Sequence, residues 1–158
     1  MARGEIESYL AALEDRQRRH GEGSATVGPQ GDVDSPLNRD ELELLDDVLI
    51  EAERVTGLRF TAYLGDLGDD TRAAAEGLLT SLGAEAPVAV LLAVSPGQRV
   101  VEVVTGGEAS RRISERAARL AVMTVTAACG LGEIANGLVN GLRILADQAG
   151  TLPDRTTW

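Results

Sequence analysis

The stretch EAPVAVLLAVSPGQRVVEVVT, residues 85–105, decides how the rest of the chain is read. Val88–Val94 is an unbroken apolar run too short for most helices, and Arg99–Val104 is a second valine-rich run interrupted by Glu102. Between them Pro96 and Gly97 offer a fixed φ followed by a residue that tolerates positive φ, the requirements of a type II turn. The stretch therefore predicts a β-hairpin. Its first strand is buried on both faces, with Leu91 at its centre, and its second has a wetter face or lies nearer a sheet edge.

Working outward, Leu58–Leu64 places Leu58, Phe60, Ala62 and Leu64 on one face and Arg59, Thr61 and Tyr63 on the other, the alternation of a strand with unequal faces. Before it, Asn38 and Glu41 stand in capping-box spacing, Leu42, Leu45, Leu49, Ala52 and Val55 follow helical spacing, and Gly57 ends the helix. Between that strand and the hairpin, Asp69 or Asp70 caps a helix through Ala73–Leu82 that stops at Gly83. Beyond the hairpin, Ser110 or Ser114 opens a third helix with an inner stripe of Ile113, Ala117, Leu120, Ala121 and Thr124. Gly130 and Gly132 end it. The last helix, Glu133–Gln148, turns Ile134, Leu138, Leu142 and Leu145 toward the sheet. This order predicts an α/β domain over residues 37–150: a small mixed sheet, the first strand parallel to the central hairpin strand, flanked by helices.

Residues 1–20 read as a short amphipathic helix with Ile6, Tyr9, Leu10 and Leu13 on one stripe and Arg16, Arg18 and Arg19 near its C-terminal end. Such a helix is marginal unless it docks on something. Residues 21–36, rich in Gly, Ser, Pro and acids, read as a flexible linker, and 151–158 as a tail that Trp158 could tuck against the domain.

Composition removes several functions. The net charge of −10 opposes a polyanionic partner, and aromatics at 3% supply no stacking platform, so nucleic acid is excluded as a partner. No apolar stretch approaches the ~20 residues needed to span a bilayer, so direct membrane insertion is not expected; charges throughout residues 1–20 are unlike a signal peptide. With a lone Cys129 in an apolar run, the expected setting is the cytoplasm. All fifteen basic residues are Arg, which reflects coding bias rather than guanidinium chemistry. One Cys and one His, His20, leave no thiol or zinc mechanism, and no serine-hydrolase motif is present.

Three places gather polar groups. Asp66, Asp69 and Asp70 follow the first strand, where open α/β sheets tend to hold ligands and where carboxylates suit Mg²⁺ or Ca²⁺. Gly106-Gly107 leads toward Arg111, Arg112 and Arg116, readable as a phosphate-binding turn or as a solvated arginine face. Gly137 and Gly141 form a GxxxG in a soluble helix, which at a cost of ~1 kcal/mol per Gly against Ala indicates close packing on the sheet.

The order of these motifs resembles the TPM domain family over about Leu37–Ala146. Thr56-Gly57 is similar to that family's helix ending, and Glu85-Ala86-Pro87 stands where the family has Asp-Asn-Gly. Ile113-Ser114-Glu115 resembles its Leu-Thr-Asp step, and Gly132-Glu133-Ile134 with Gly137-Leu138 resembles its last helix. Some members are acid phosphatases or bind divalent cations through acids at strand ends, and others act in assembly or repair of membrane complexes. The resemblance implies Asp66, Glu85 and Glu115 as metal ligands, for Ca²⁺ or Mg²⁺, with no other cofactor and no catalytic residue assigned. Because the Asn and Gly of the family's loop are missing, the expectation is an accessory or interaction domain without chemistry of its own whose partner is another protein. The alternative is a divalent-cation-dependent phosphatase.

Overall fold

The computed structural model describes residues 37–151. The expected N-terminal helix, linker and final tail lie outside the described residues. Four helices and three strands follow in order: α1 (Arg39–Thr56), β1 (Arg59–Leu64), α2 (Thr71–Thr80), β2 (Ala89–Ser95), β3 (Val100–Thr105), α3 (Glu115–Gly130) and α4 (Ile134–Ala149). The sheet is mixed, in the order β1-β2-β3, with β1 parallel and β3 antiparallel to the central β2.

Local chemistry sets the helix ends. Asn38 accepts from the Glu41 N–H while the Glu41 carboxylate accepts from the Asn38 N–H, a complete capping box. Asp70 and Ser114 do the same one-way service for α2 and α3. Gly57 closes α1 in the left-handed region at φ 74°, which a residue without Cβ adopts freely.

Two cores flank the sheet. Phe60, Ala62, Val90, Leu92, Val94 and Val103 point to the larger one, which α1, α3 and α4 complete with Leu45, Leu49, Ala121, Leu138 and Leu142. Tyr63, Leu91, Ala93 and Val104 point the other way and meet Ala75, Leu78 and Leu79 of α2. Every residue of β2 is buried, as its unbroken apolar run dictates, because helices cover both its faces. Edge strand β3 is only partly buried. Arg72 of α2 covers part of it, donating to the Val103 carbonyl at 2.8 Å and pairing with Glu102.

Several expectations are corrected. The hairpin connection is a 3₁₀ turn over Pro96–Gln98 with Arg99, not Gly97, in the left-handed region at φ 57°, so the four residues 96–99 join the strands where a type II turn would use two. Val88, read as the first residue of the strand, instead ends a 3₁₀ turn over Gly83–Val88 that contains Pro87, and β2 begins at Ala89. Leu120, assigned to the inner stripe of α3, is 51% exposed, and Val125 takes the buried place. The glycines of α4 meet α3 more than the sheet: a Cβ at Gly137 would lie 2.7 Å from Ala128 Cβ, and one at Gly141 2.7 Å from Val125 Cγ2. Close helix–helix approach, not helix–sheet packing, is what this GxxxG provides.

Arg112 is neither solvated nor free for a phosphate. Its guanidinium donates to the Thr56 carbonyl at 2.6 Å and to the Ala149 and Gly150 carbonyls at 3.0 Å, tying the C-terminal ends of α1 and α4 together. A cation there also complements the negative ends of both helix dipoles.

Candidate functional site

The structure does not bring Asp66, Glu85 and Glu115 together. Asp66 lies beyond the C-terminal end of β1, whereas Glu85 sits in the 3₁₀ turn before β2 and pairs with Arg59, the first residue of β1, at 3.2 Å. The five steps from Arg59 to Leu64, at about 3.3 Å each, put roughly 17 Å between the two ends, several times the separation that two ligands of one ion allow. Glu115 is the first residue of α3, which begins after β3 has ended beside the start of β2. Among the described residues no three His, Cys, Asp or Glu side chains are grouped so as to hold a metal ion.

Asp66 and Glu85 each have a structural occupation. Asp66 accepts from the Gly68 N–H at 3.1 Å, and its carbonyl accepts from the Tyr63 hydroxyl at 2.6 Å. Gln98 pins the same loop: its side-chain oxygen accepts from the Leu67 N–H and the Ser95 hydroxyl, both at 2.7 Å, and its amide donates to the Gly68 carbonyl at 2.6 Å. The loop at the C-terminal ends of the parallel strands is thus filled by its own hydrogen bonds.

At the other end of β1, Arg59 is 10% exposed between Glu53 and Glu85. Burial pushes the Glu53 carboxyl up to about 7, against the pull of the Arg59 charge and the Phe60 N–H, with the Glu85 charge adding to the rise. Among the described residues Arg59 Nε and Nη2 and Glu53 Oε1 make no hydrogen bond, although Nε and Oε1 stand 3.5 Å apart as an ion pair. Two acids around one guanidinium leave no positive excess to attract an anion.

Grooves formed by the described residues include the following two. One, of about 440 Å³, lies between the β2–β3 connection and the junction of α3 with α4, with Arg99, Thr126 and Cys129 among its lining. Burial raises the Cys129 thiol above its ordinary value, which disfavours the nucleophilic thiolate. The other, of about 370 Å³, runs between α1 and α4.

Among the described residues, the most exposed large hydrophobics form a ridge along α3: Leu120 is 51% exposed, Met123 64% and Leu131, just past the helix, 75%. With exposed Ala127 these follow a spacing of three, four and four, one stripe of a helix. Sequence reasoning missed the ridge because Leu120 was counted into the core. The signal was there, since Ala117, Ala121 and Val125 already fill an inward stripe at i, i+4 and i+8.

A family model matches residues 21–146, more than half of the chain, and its description is a domain of unknown function, DUF5130. The chain belongs to the DUF5130 family. This overturns the resemblance to TPM domains, whose Asp-Asn-Gly is here Glu85-Ala86-Pro87 inside a 3₁₀ turn. DUF5130 relatives include the uncharacterized protein Rv2468c of Mycobacterium tuberculosis strain H37Rv, 41% identical over 121 residues that span 77% of this chain and 71% of the relative. Its counterpart in strain CDC 1551 matches equally. Among solved structures, the N-terminal domain of a protein from P. gingivalis aligns with a TM-score of 0.71 at 16% identity, covering 91% of this chain and 90% of that one. The BA42 protein of Bizionia argentinensis aligns at 0.67 with 15% identity, covering 77% and 89%. At these identities the DUF5130 chain shares a fold with them and nothing more is carried over.

Proposed function

We propose that this DUF5130 chain is an accessory domain that acts by binding another protein through α3, without chemistry of its own. The observation that carries the reading is the ridge of Leu120, Met123, Ala127 and Leu131. Three large apolar residues held in water on one helix face cost free energy that a partner would recover, at about 25 cal/mol per Å² covered. Arg116 and Arg119 flank the N-terminal half of the ridge, so the matching surface is apolar with an acidic border. A cytoplasmic setting with reduced Cys129 fits this reading, and among the described residues no helix is long and apolar enough to cross a membrane.

A photo-crosslinking residue at position 123, incorporated in the native host, tests the proposal. The expected result is one discrete adduct with another protein, lost on adding Leu120→Asp and absent when the crosslinker replaces Glu76 on α2. No adduct from position 123, an equal adduct from position 76, or an adduct only with a second copy of the chain would contradict it.

A further inference from the structure

The groove of about 440 Å³ is bounded by the sheet, α3 and α4. Val94 at the end of β2 and Val101 of β3 supply apolar wall from the sheet, Ile134 supplies it from the start of α4, and Thr126 and Cys129 line it from the last turns of α3. Its volume falls among those of small-molecule sites, about 300–1,000 Å³. The groove also opens beside the carboxyl end of β2, which runs parallel to β1, and open α/β sheets take their ligands outside the carboxyl ends of parallel strands.

The hydrogen-bonding capacity of the lining side chains is one-sided. Thr126 donates its hydroxyl proton to the Val122 carbonyl, and Ser95 donates its own to Gln98, each at 2.7 Å. The Cys129 thiol, kept protonated by burial, is a weak donor. Strong side-chain donors remain only on Arg99, whose guanidinium has neither hydrogen bond nor ion pair among the described residues.

The backbone gives no reason for an arginine there. Arg99 is the one non-glycine residue with positive φ among the described residues, at 57°, a conformation that glycine adopts without strain and that a side chain with Cβ disfavours. The turn thus holds an unpaired guanidinium at a position where glycine would suit the chain better.

Charge and shape select the ligand. A guanidinium presents a planar fork of donors that matches the two oxygens of a carboxylate. One unpaired positive charge balances one negative charge, whereas a phosphate dianion would keep a second charge uncompensated on a chain whose net charge is already −10. Beyond the head group, polar atoms laid against Val94, Val101 and Ile134 would lose their hydration without gaining partners, so the rest of the ligand is apolar.

We propose that this groove binds a small aliphatic monocarboxylate, its carboxylate held in the fork of the Arg99 guanidinium and its chain lying against Val94, Val101 and Ile134. The site is separate from the α3 ridge, since Leu120, Met123 and Leu131 take no part in its lining.

The test is a titration of the full chain with sodium hexanoate, followed in proton–nitrogen correlation spectra. Amide resonances of Val101, Thr126 and Ile134 are expected to shift together and to saturate with a Kd of about millimolar or tighter. Hexanol, which keeps the chain and loses the charge, and acetate, which keeps the charge and loses the chain, should each bind at least about tenfold more weakly. Arg99→Gly should bring a similar loss with the fold intact, because glycine accepts φ 57° freely, and Arg99→Lys, which keeps the charge without the fork, should bind at an intermediate level. No saturable shift at about 10 mM hexanoate, shifts centred on Met123, undiminished binding by Arg99→Gly, or hexanol or inorganic phosphate binding as tightly as hexanoate would each overturn the assignment.

Discussion

Leu91→Asp is expected to abolish the cooperative unfolding transition of the domain. Leu91 is 1% exposed at the centre of β2, paired with Thr61 on one side and Val104 on the other, and its side chain lies in the core beneath α2. Aspartate there forfeits the apolar burial and requires either a buried charge without a partner or a protonated, half-satisfied carboxyl. Substitutions of that kind exceed about 4 kcal/mol, close to the whole stability of an ordinary domain at about 5–15 kcal/mol. Leu91→Ala, which removes volume without adding charge, should cost about 2–5 kcal/mol and leave a foldable protein for comparison. Circular dichroism and thermal melting distinguish the outcomes. A wild-type melting temperature for Leu91→Asp would mean that β2 is not the centre of the fold.

Gly106→Ala is expected to be strongly destabilising for a change that adds a single methyl group. A Cβ at Gly106 would stand 1.9 Å from the Ala86 carbonyl oxygen and 2.6 Å from the Pro87 carbonyl, all backbone atoms of the 3₁₀ turn before β2. That turn is held in place from the same side, since the Gly106 N–H donates to Ala89 O and the Glu108 N–H to Pro87 O, each at 2.9 Å. Neither partner can retreat without losing ladder hydrogen bonds, so the expected cost is about 3 kcal/mol, the upper part of the usual range for overpacking. Gly107→Ala is the control, because a Cβ there meets nothing within 4 Å. Denaturant titration of both variants should show a large loss for Gly106→Ala and almost none for Gly107→Ala. Equal midpoints would contradict the packing described here.

What could be read from the sequence was whatever local chemistry decides. Asn38, Gly57, Asp70 and Ser114 cap or end helices through neighbours within four residues, and the apolar run of β2 announces burial on both faces by itself. Roles that depend on distant partners were hidden. Nothing near Arg112 in the chain reveals that Thr56, Ala149 and Gly150 wait for its guanidinium, nor that Gln98 reaches Leu67 and Gly68. Arg59 alternates like a solvated strand residue, yet it is buried because Glu53 and the turn carrying Glu85 close over it.

The carboxylate set meets a constraint of a different kind, one set by topology rather than by local chemistry. If β1 and β2 are parallel, a residue following β1 and a residue preceding β2 must lie at opposite ends of the sheet, which separates Asp66 from Glu85. The parallel pairing was itself an expectation from the helical connection, so the conflict was present in the sequence reading. Family motifs carried by single residues do not override such a constraint.

The central claim, association rather than catalysis, is tested most directly by incubating the purified chain with a generic phosphate ester and Mg²⁺, Mn²⁺ or Ca²⁺, with calorimetric titration of Ca²⁺ alongside. The account predicts no cation-dependent turnover and no calcium binding tighter than about millimolar, the weak end for protein sites, because Asp66 and Glu85 lie beyond opposite ends of β1 and each is engaged within the fold. Cation-dependent hydrolysis that is lost in Glu85→Gln and Glu115→Gln, with circular dichroism unchanged, would contradict it.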